Sequence, residues 1–250
     1  MIETEIIDNV AVLRMQHGKA NALDIELCEA LAARFKALRN EAARAIVLTG
    51  TGNIFCAGVD LKRVGSGGAD YVRRFLPALH KLYEEIFFHP KPVVAAINGH
   101  AVAGGAVLAC CADRRIMAHE SGRIGVTELL VGVPLPALAF EILRAAVPAE
   151  YLAEFLYSGA TYMTDDAAES GWIDELAEAE DLIEDALAVA EELAARPAAA
   201  FAQTKAQIRG PVAERLAVSG EAIDRGVTAL WCADNTLAHV RDYVARTLTK

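Results

Sequence analysis

Apolar and polar positions alternate through Glu3 to Ile7 and again through Val10 to Met15, with Asp8-Asn9 between them, a pattern that predicts a two-stranded hairpin. The period then changes. From Asp24 to Asn40 the residues Leu27, Leu31, Phe35 and Leu38 recur at three- and four-residue steps, predicting an amphipathic helix with Asp24 as its N-cap. Ala45 to Thr49 and Pro92 to Ile97 are short unbroken apolar runs, as in strands buried on both faces, and Ala69 to Phe88 between them reads as helix. A small-residue helix over Gly104 to Ala112 and a strand over Arg114 to Ala118 follow. Strand and helix alternate, which points to an α/β fold. Beyond Leu135 the spacing reads helical throughout, with Pro148, Pro197 and the Gly210-Pro211 pair expected to separate the helices. Residues 1–196 are expected to form the core and 197–250 a helical region of the same domain. No repeat of 20–50 residues interrupts the chain, so one continuous core is expected.

Length and charge narrow the functional classes. A chain of 250 residues buries about three quarters of its unfolded surface and needs no disulfide or metal staple. The five cysteines (Cys28, Cys56, Cys110, Cys111, Cys232) show no paired spacing and read as reduced, mostly buried thiols. A formal net charge of −10 argues against a general nucleic-acid binder, so a polyanionic ligand would need local basic residues. No apolar stretch approaches the roughly 20 residues that span a bilayer. The acidic start Met1-Ile2-Glu3-Thr4-Glu5 lacks the basic head and apolar run of a secretory signal, and a cytoplasmic location is expected.

Three segments carry candidate chemistry: Phe55-Cys56-Ala57-Gly58-Val59-Asp60-Leu61-Lys62, Asn98-Gly99-His100-Ala101-Val102-Ala103-Gly104-Gly105-Ala106, and Ile124-Gly125-Val126-Thr127-Glu128-Leu129-Leu130-Val131-Gly132. The first two each follow a predicted strand, where glycine allows a sharp turn that leaves amide N–H groups facing a cleft. Two such amides can hold an oxyanion. Gly104-Gly105 opens a helix, which favours negative charge nearby, although adjacent glycines there also serve close helix-to-strand packing. Glu128 reads either as part of a solvated helix face or, if buried, as a carboxyl lifted towards neutrality and suited to moving a proton to or from carbon.

Together these segments resemble the crotonase (enoyl-CoA hydratase/isomerase) superfamily. The resemblance runs through almost the whole chain and also takes in Lys19-Ala20-Asn21-Ala22-Leu23-Asp24, Ala45-Ile46-Val47-Leu48-Thr49-Gly50 and Lys91-Pro92-Val93-Val94-Ala95-Ala96-Ile97-Asn98-Gly99. It implies a spiral of repeated ββα units with a C-terminal helical region that mediates trimer formation, two trimers stacking in some members. It implies an acyl-CoA thioester as substrate, in the chemistry of fatty acid metabolism, with no metal or redox cofactor; coenzyme A enters as part of the substrate. The backbone amides of Ala57 and Gly104 are then expected to form the oxyanion hole. Lys19, Ala20, Ala22, Asp60, Leu61 and Lys62 are expected to border the coenzyme A path.

One departure bears on the reaction. Hydratases of the superfamily carry two glutamates, and the first of those positions here is Val107, while the second is Glu128. A single carboxylate suffices to move a proton from the α- to the γ-carbon of a 3-enoyl thioester. The resemblance therefore favours double-bond isomerisation over hydration, with a non-catalytic acyl-CoA-binding protein as the remaining alternative. Glu141 reads as a helix-surface salt bridge, His100 as structural, Cys56 as packing, and Trp231 and Phe201 as core or subunit-contact residues. The acidic runs Asp165-Asp166 and Glu178 to Asp185 read as solvated helix caps and faces. Lys205 is a candidate coenzyme A phosphate neighbour from an adjoining subunit, and the acyl-tail pocket is expected among Val64 to Phe88.

Overall fold

The structure, a computed structural model, describes residues 1–247. Among the described residues, ten strands form two sheets. The six-stranded sheet has the order β1 (Ile2–Ile7), β2 (Val10–Met15), β3 (Ala45–Thr49), β5 (Val93–Ile97), β7 (Arg114–Ala118), β10 (Glu175–Ala177). Only β1 and β2 pair antiparallel, as the hairpin pattern predicts; the remaining neighbours are parallel. The four-stranded sheet contains β4 (Ile54–Cys56), β6 (His100–Val102), β8 (Arg123–Gly125) and β9 (Tyr162–Met163).

The helices are α1 (Ile25–Leu38), α2 (Leu61–Phe87), α3 (Gly104–Cys110), α4 (Glu128–Val131), α5 (Ala137–Ala146), α6 (Ala149–Ser158), α7 (Thr164–Glu169), α8 (Leu182–Ala194), α9 (Ala198–Arg215), α10 (Glu221–Trp231) and α11 (Asp234–Thr247). The order β3-β4-α2, β5-β6-α3, β7-β8-α4 is a ββα unit repeated, each turn giving one strand to the large sheet and one to the small sheet. This is the spiral the resemblance implies.

The unbroken apolar runs are buried on both faces of the large sheet. Ile46 and Leu48 of β3 join the main core with α1 and α2, while Ala45 and Val47 pack with Val94, Ala96 and Ile116 against Leu182, Ala186 and Ala190 of α8. The single continuous core expected from sequence is thus two clusters, because alternate side chains of a central sheet point to opposite faces. Asp24 caps α1 as predicted, its Oδ1 accepting from the Leu27 N–H at 2.8 Å.

Other boundaries differ. The helix predicted from Ala69 does start after a break at Gly68 (φ 60°, ψ −154°), but another, not expected from the sequence, runs into it from Leu61, and α2 comprises both. Gly210-Pro211 does not separate helices: α9 passes through it and continues by a π turn (Leu216–Gly220) into α10. The fixed φ of proline is helical, and the flanking Arg209 and Val212 are locked into the interior, which offsets the one lost ladder bond. The region beyond Leu135 is not all helix, since β9 and β10 complete the two sheets there. Helices α10 and α11 pack back onto α2. The helical region predicted to reach Lys250 ends outside the described residues in its last three positions.

Candidate active site

Two strand-to-helix loops meet at the site. After β4 the chain turns at Gly58 (φ +82°), where an added Cβ would lie 2.7 Å from the Val102 carbonyl oxygen and 3.1 Å from the Gly104 nitrogen. After β6 it turns at Ala103, held at φ 53° and ψ −125°. Its N–H donates to the Gly125 carbonyl at 2.8 Å, and its carbonyl accepts from Ala106 at 2.9 Å. A Cβ on Gly105 would come within 2.1 Å of the Cys56 carbonyl oxygen, so this glycine is required for packing. Both readings of the glycine pair hold, one residue each: Gly105 packs, and Gly104 starts α3 beside the first loop. The Tyr83 hydroxyl, buried in α2, donates to the Gly104 carbonyl at 2.8 Å. Asn21 and Asn98 tie the loops to the strands, Asn21 Nδ2 donating to the Phe55 carbonyl (3.1 Å) and Asn98 Oδ1 accepting from the Gly50 N–H (2.8 Å).

The Ala57 amide is not available to a ligand. It donates to the Ala20 carbonyl at 3.0 Å, which corrects the expectation that it belongs to the oxyanion hole. The next stretch makes a single parallel bridge, Leu23 to Val59, in which the Gly58 carbonyl accepts from Leu23 N–H and the Asp60 N–H donates to Leu23 carbonyl. Backbone groups alternate along an extended chain, so the Val59 N–H points the other way. It faces the side where Ala57, Val59, Val102, Ala103 and Glu128 line a common cavity of about 120 Å3.

Glu128 opens α4 on the far side of that cavity. Its Oε2 is shielded from solvent and has no hydrogen-bond partner among the described residues. Burial pushes its carboxyl up to about 7, only partly offset by hydrogen bonds from its own and the Thr127 amides. Val107 lies fully buried in α3 and lines none of the cavities around the loops, so no second carboxylate stands at that position.

The central cavity adjoins two larger ones. On one side, sharing Ala57, Val59 and Leu61, is a cleft of about 500 Å3 lined by all six residues expected along the coenzyme A path: Lys19, Ala20, Ala22, Asp60, Leu61 and Lys62. The Asp60 carboxylate there is a helix cap, accepting from the Lys62 and Arg63 amides at 3.0 and 3.1 Å. Arg63 is saturated by Asp24, Glu26 and Asp60, whereas Lys19 and Lys62 are exposed and make no ion pair among the described residues. On the other side, sharing Glu128 and Val133, an apolar cavity of about 470 Å3 runs between α4, α5, α6 and the π turn.

None of the residues among which the tail pocket is expected, Val64 to Phe88, lines that cavity. Val64, Val72, Phe75, Leu79 and Ile86 are packed into the core instead. Lys205 is reassigned to a structural role: its Nζ is buried, donating to Asp113 (2.6 Å) and the Lys91 carbonyl (3.0 Å). Glu141 is ion-paired, to Arg215 (2.6 Å) and Arg144 (3.1 Å), but it is buried and lines the apolar cavity rather than the surface. His100 sits in β6, its backbone N–H on the Asn53 carbonyl (3.0 Å). The Cys56 thiol, pushed up to about 12 by burial, donates to the Asn21 carbonyl (3.1 Å), which is a packing role.

Sequence reasoning missed four residues. Thr127 and Tyr243 line the central cavity, Trp231 lines it as well as the core, and Tyr83 fixes Gly104 from below. Thr127 adjoins Glu128 in sequence, but nothing local marks Tyr83 or Tyr243, which reach the site only through tertiary packing.

The model of the enoyl-CoA hydratase/isomerase family matches residues 5–234. The chain belongs to that family. Its relatives include a protein of Thermus thermophilus named a putative enoyl-CoA hydratase, 38% identical over 165 residues, which are 65% of this chain and 64% of that protein. Among solved structures, a human mitochondrial delta3-delta2-enoyl-CoA isomerase superposes with a TM-score of 0.91 at 25% identity, covering 98% of this chain and 97% of that one. An enoyl-CoA hydratase from Mycobacterium ulcerans Agy99 superposes with a TM-score of 0.83 at 29% identity, covering 92% and 99%. The names of these relatives thus include both hydratases and an isomerase. No helix among the described residues is long and apolar enough to cross a membrane.

Proposed function

We propose that the chain is an enoyl-CoA isomerase that moves a double bond from the 3- to the 2-position of an acyl-CoA thioester, with Glu128 as its only proton carrier. The observation that carries this reading is the pairing of a half-buried Glu128, whose Oε2 is shielded from solvent and without a hydrogen-bond partner among the described residues, with Val107 at the position of the second acid. A carboxyl with a pKa near the working pH can both take and return a proton.

The thioester lies with its carbonyl between the two loops, its oxygen facing the Val59 and Gly104 amides. Negative charge developing on that oxygen is held by two oriented donors in a site with little water, where such donors act strongly. The Glu128 carboxylate removes a proton from the α-carbon, and the C–H electron pair enters the conjugated dienolate. The resulting Glu128 carboxylic acid gives the same proton to the γ-carbon, the thioester carbonyl re-forms, and the double bond is left between the α- and β-carbons. The carboxylate is regenerated, so no water, oxidant or second base is consumed. Lys19 and Lys62 at the mouth of the cleft supply the unpaired positive charge that coenzyme A phosphates need on a chain of net charge −10. A homotrimer or dimer of trimers is the assembly expected of such a protein.

Replacing Glu128 with Gln tests the assignment. Turnover of a 3-enoyl-CoA should fall by at least about a thousandfold, whereas binding of a saturated acyl-CoA should change by less than about threefold. Retained turnover would remove Glu128 from the chemistry.

A further inference from the structure

Gly220 ends the π turn at helical angles, φ −55° and ψ −49°. Glycine is among the poorest helix formers, and these angles suit any residue, so the backbone gives no reason for it. Packing gives none either. A Cβ built at Gly220 meets only Leu216, at 3.4 and 3.5 Å, which is ordinary contact, with nothing else within 4 Å. The contrast is with Gly58 and Gly105, where an added Cβ would lie 2.7 and 2.1 Å from backbone oxygens.

Gly220 is nevertheless buried. It lines the apolar cavity of about 470 Å3 whose wall also carries Glu128 and Val133, together with Leu135, Phe140, Leu216 and Ile223. This volume lies within the range of small-ligand sites, roughly 300–1,000 Å3. Among the described residues, the acidic and basic side chains on the wall besides Glu128 are Glu141, Arg144 and Arg215, and Glu141 is clamped by both arginines. A chain leaving the thioester past Glu128 therefore enters a space that suits methylenes and has a residue with no side chain on its wall.

We infer that Gly220 sets the depth of the acyl-tail channel and that the substrates are thioesters of medium to long unbranched acyl chains rather than of short ones. The inference rests on the isomerase reading for the direction in which the chain runs, and it adds the substrate class that reading leaves open. Each methylene placed in the channel should raise affinity by about fourfold until the channel is full.

The test is a chain-length series from 3-hexenoyl-CoA to 3-tetradecenoyl-CoA, run on the native protein, Gly220→Ala and Gly220→Val. A parallel calorimetric series uses saturated acyl-CoAs of the same lengths and does not depend on turnover. In the native protein kcat/KM and affinity should climb with length. In Gly220→Val the ratio of long-chain to short-chain values should fall at least tenfold, with Gly220→Ala intermediate and its melting temperature unchanged or raised. A flat native series, or a loss in Gly220→Val that is equal at every length, would overturn the inference. Rising affinities for saturated thioesters without turnover of any 3-enoyl-CoA would uphold the channel while refuting the isomerase, so the two failures are separable.

Discussion

Glu128 is charged only at the expense of its surroundings. Its carboxyl is pushed up to about 7 by burial, and Oε2 has no hydrogen-bond partner among the described residues. In the proposed reaction the ionised form is the base, so kcat/KM should rise with pH on a single-proton limb and level off above about 7, as a pH–rate profile would show. The stability consequence has the opposite sign. The folded state binds the proton more tightly than the unfolded chain, so stability falls as pH rises from the ordinary carboxylate range to about 7 and stays lower above it. Glu128→Gln should therefore stabilise the protein at pH 8 by up to about 3 kcal/mol, measurable by denaturant unfolding, with no gain at pH 4. The sequence points to Glu128 as a candidate, but not to its burial: its neighbours Leu129 and Leu130 are apolar and yet exposed, so flanking residues misreport its setting. Ala57 failed as an oxyanion donor for a similar reason. Which amide of a loop is free depends on the strand beside it, here Leu23 pairing with Gly58 and Asp60 and Ala20 accepting from Ala57.

At the scale of elements, the site depends on two loops pressed together closely enough that side chains are excluded between them. Gly58→Ala combines a positive φ with a Cβ 2.7 Å from the Val102 carbonyl oxygen. It should push the loops apart and lower kcat by about a hundredfold or more, the effect of losing an aligned oxyanion donor, with a smaller change in acyl-CoA affinity. Steady-state kinetics beside equilibrium binding would show the split. The long elements were legible because their periods are long enough to read: the hairpin, the capped helix α1, and strands β3 and β5 buried on both faces. The two- and three-residue strands β4, β6, β8, β9 and β10 were not, since so few positions cannot display an alternation. Gly210-Pro211 shows the converse, a strong local stop signal overridden by the tertiary contacts of Arg209 and Val212.

Across the whole molecule, the C-terminal helices are fastened to the spiral by a buried ionic knot. Asp113 lies at the start of β7 and accepts from Lys205 and Arg209 of α9, each at 2.6 Å. Arg209 also donates to the carbonyls of Phe87 and Cys111 and stacks 4.2 Å over the Phe87 ring. Asp113→Ala would leave two buried cations without their anion and should destabilise by about 3–5 kcal/mol in denaturant unfolding. This knot was invisible in the sequence, where Lys205 stands between Thr204 and Ala206 and read as a candidate coenzyme A phosphate neighbour; its partner is 92 positions away. The family and its spiral were legible because the motifs are contiguous and ordered along the chain, whereas the reaction depends on what surrounds one carboxylate. The most direct measurement is product analysis after incubating the native protein with a 3-enoyl-CoA in water. A one-carboxylate isomerase should accumulate the 2-enoyl-CoA with at most traces of 3-hydroxyacyl-CoA. A 3-enoyl-CoA left unchanged, alongside rapid hydration of a supplied 2-enoyl-CoA, would contradict it.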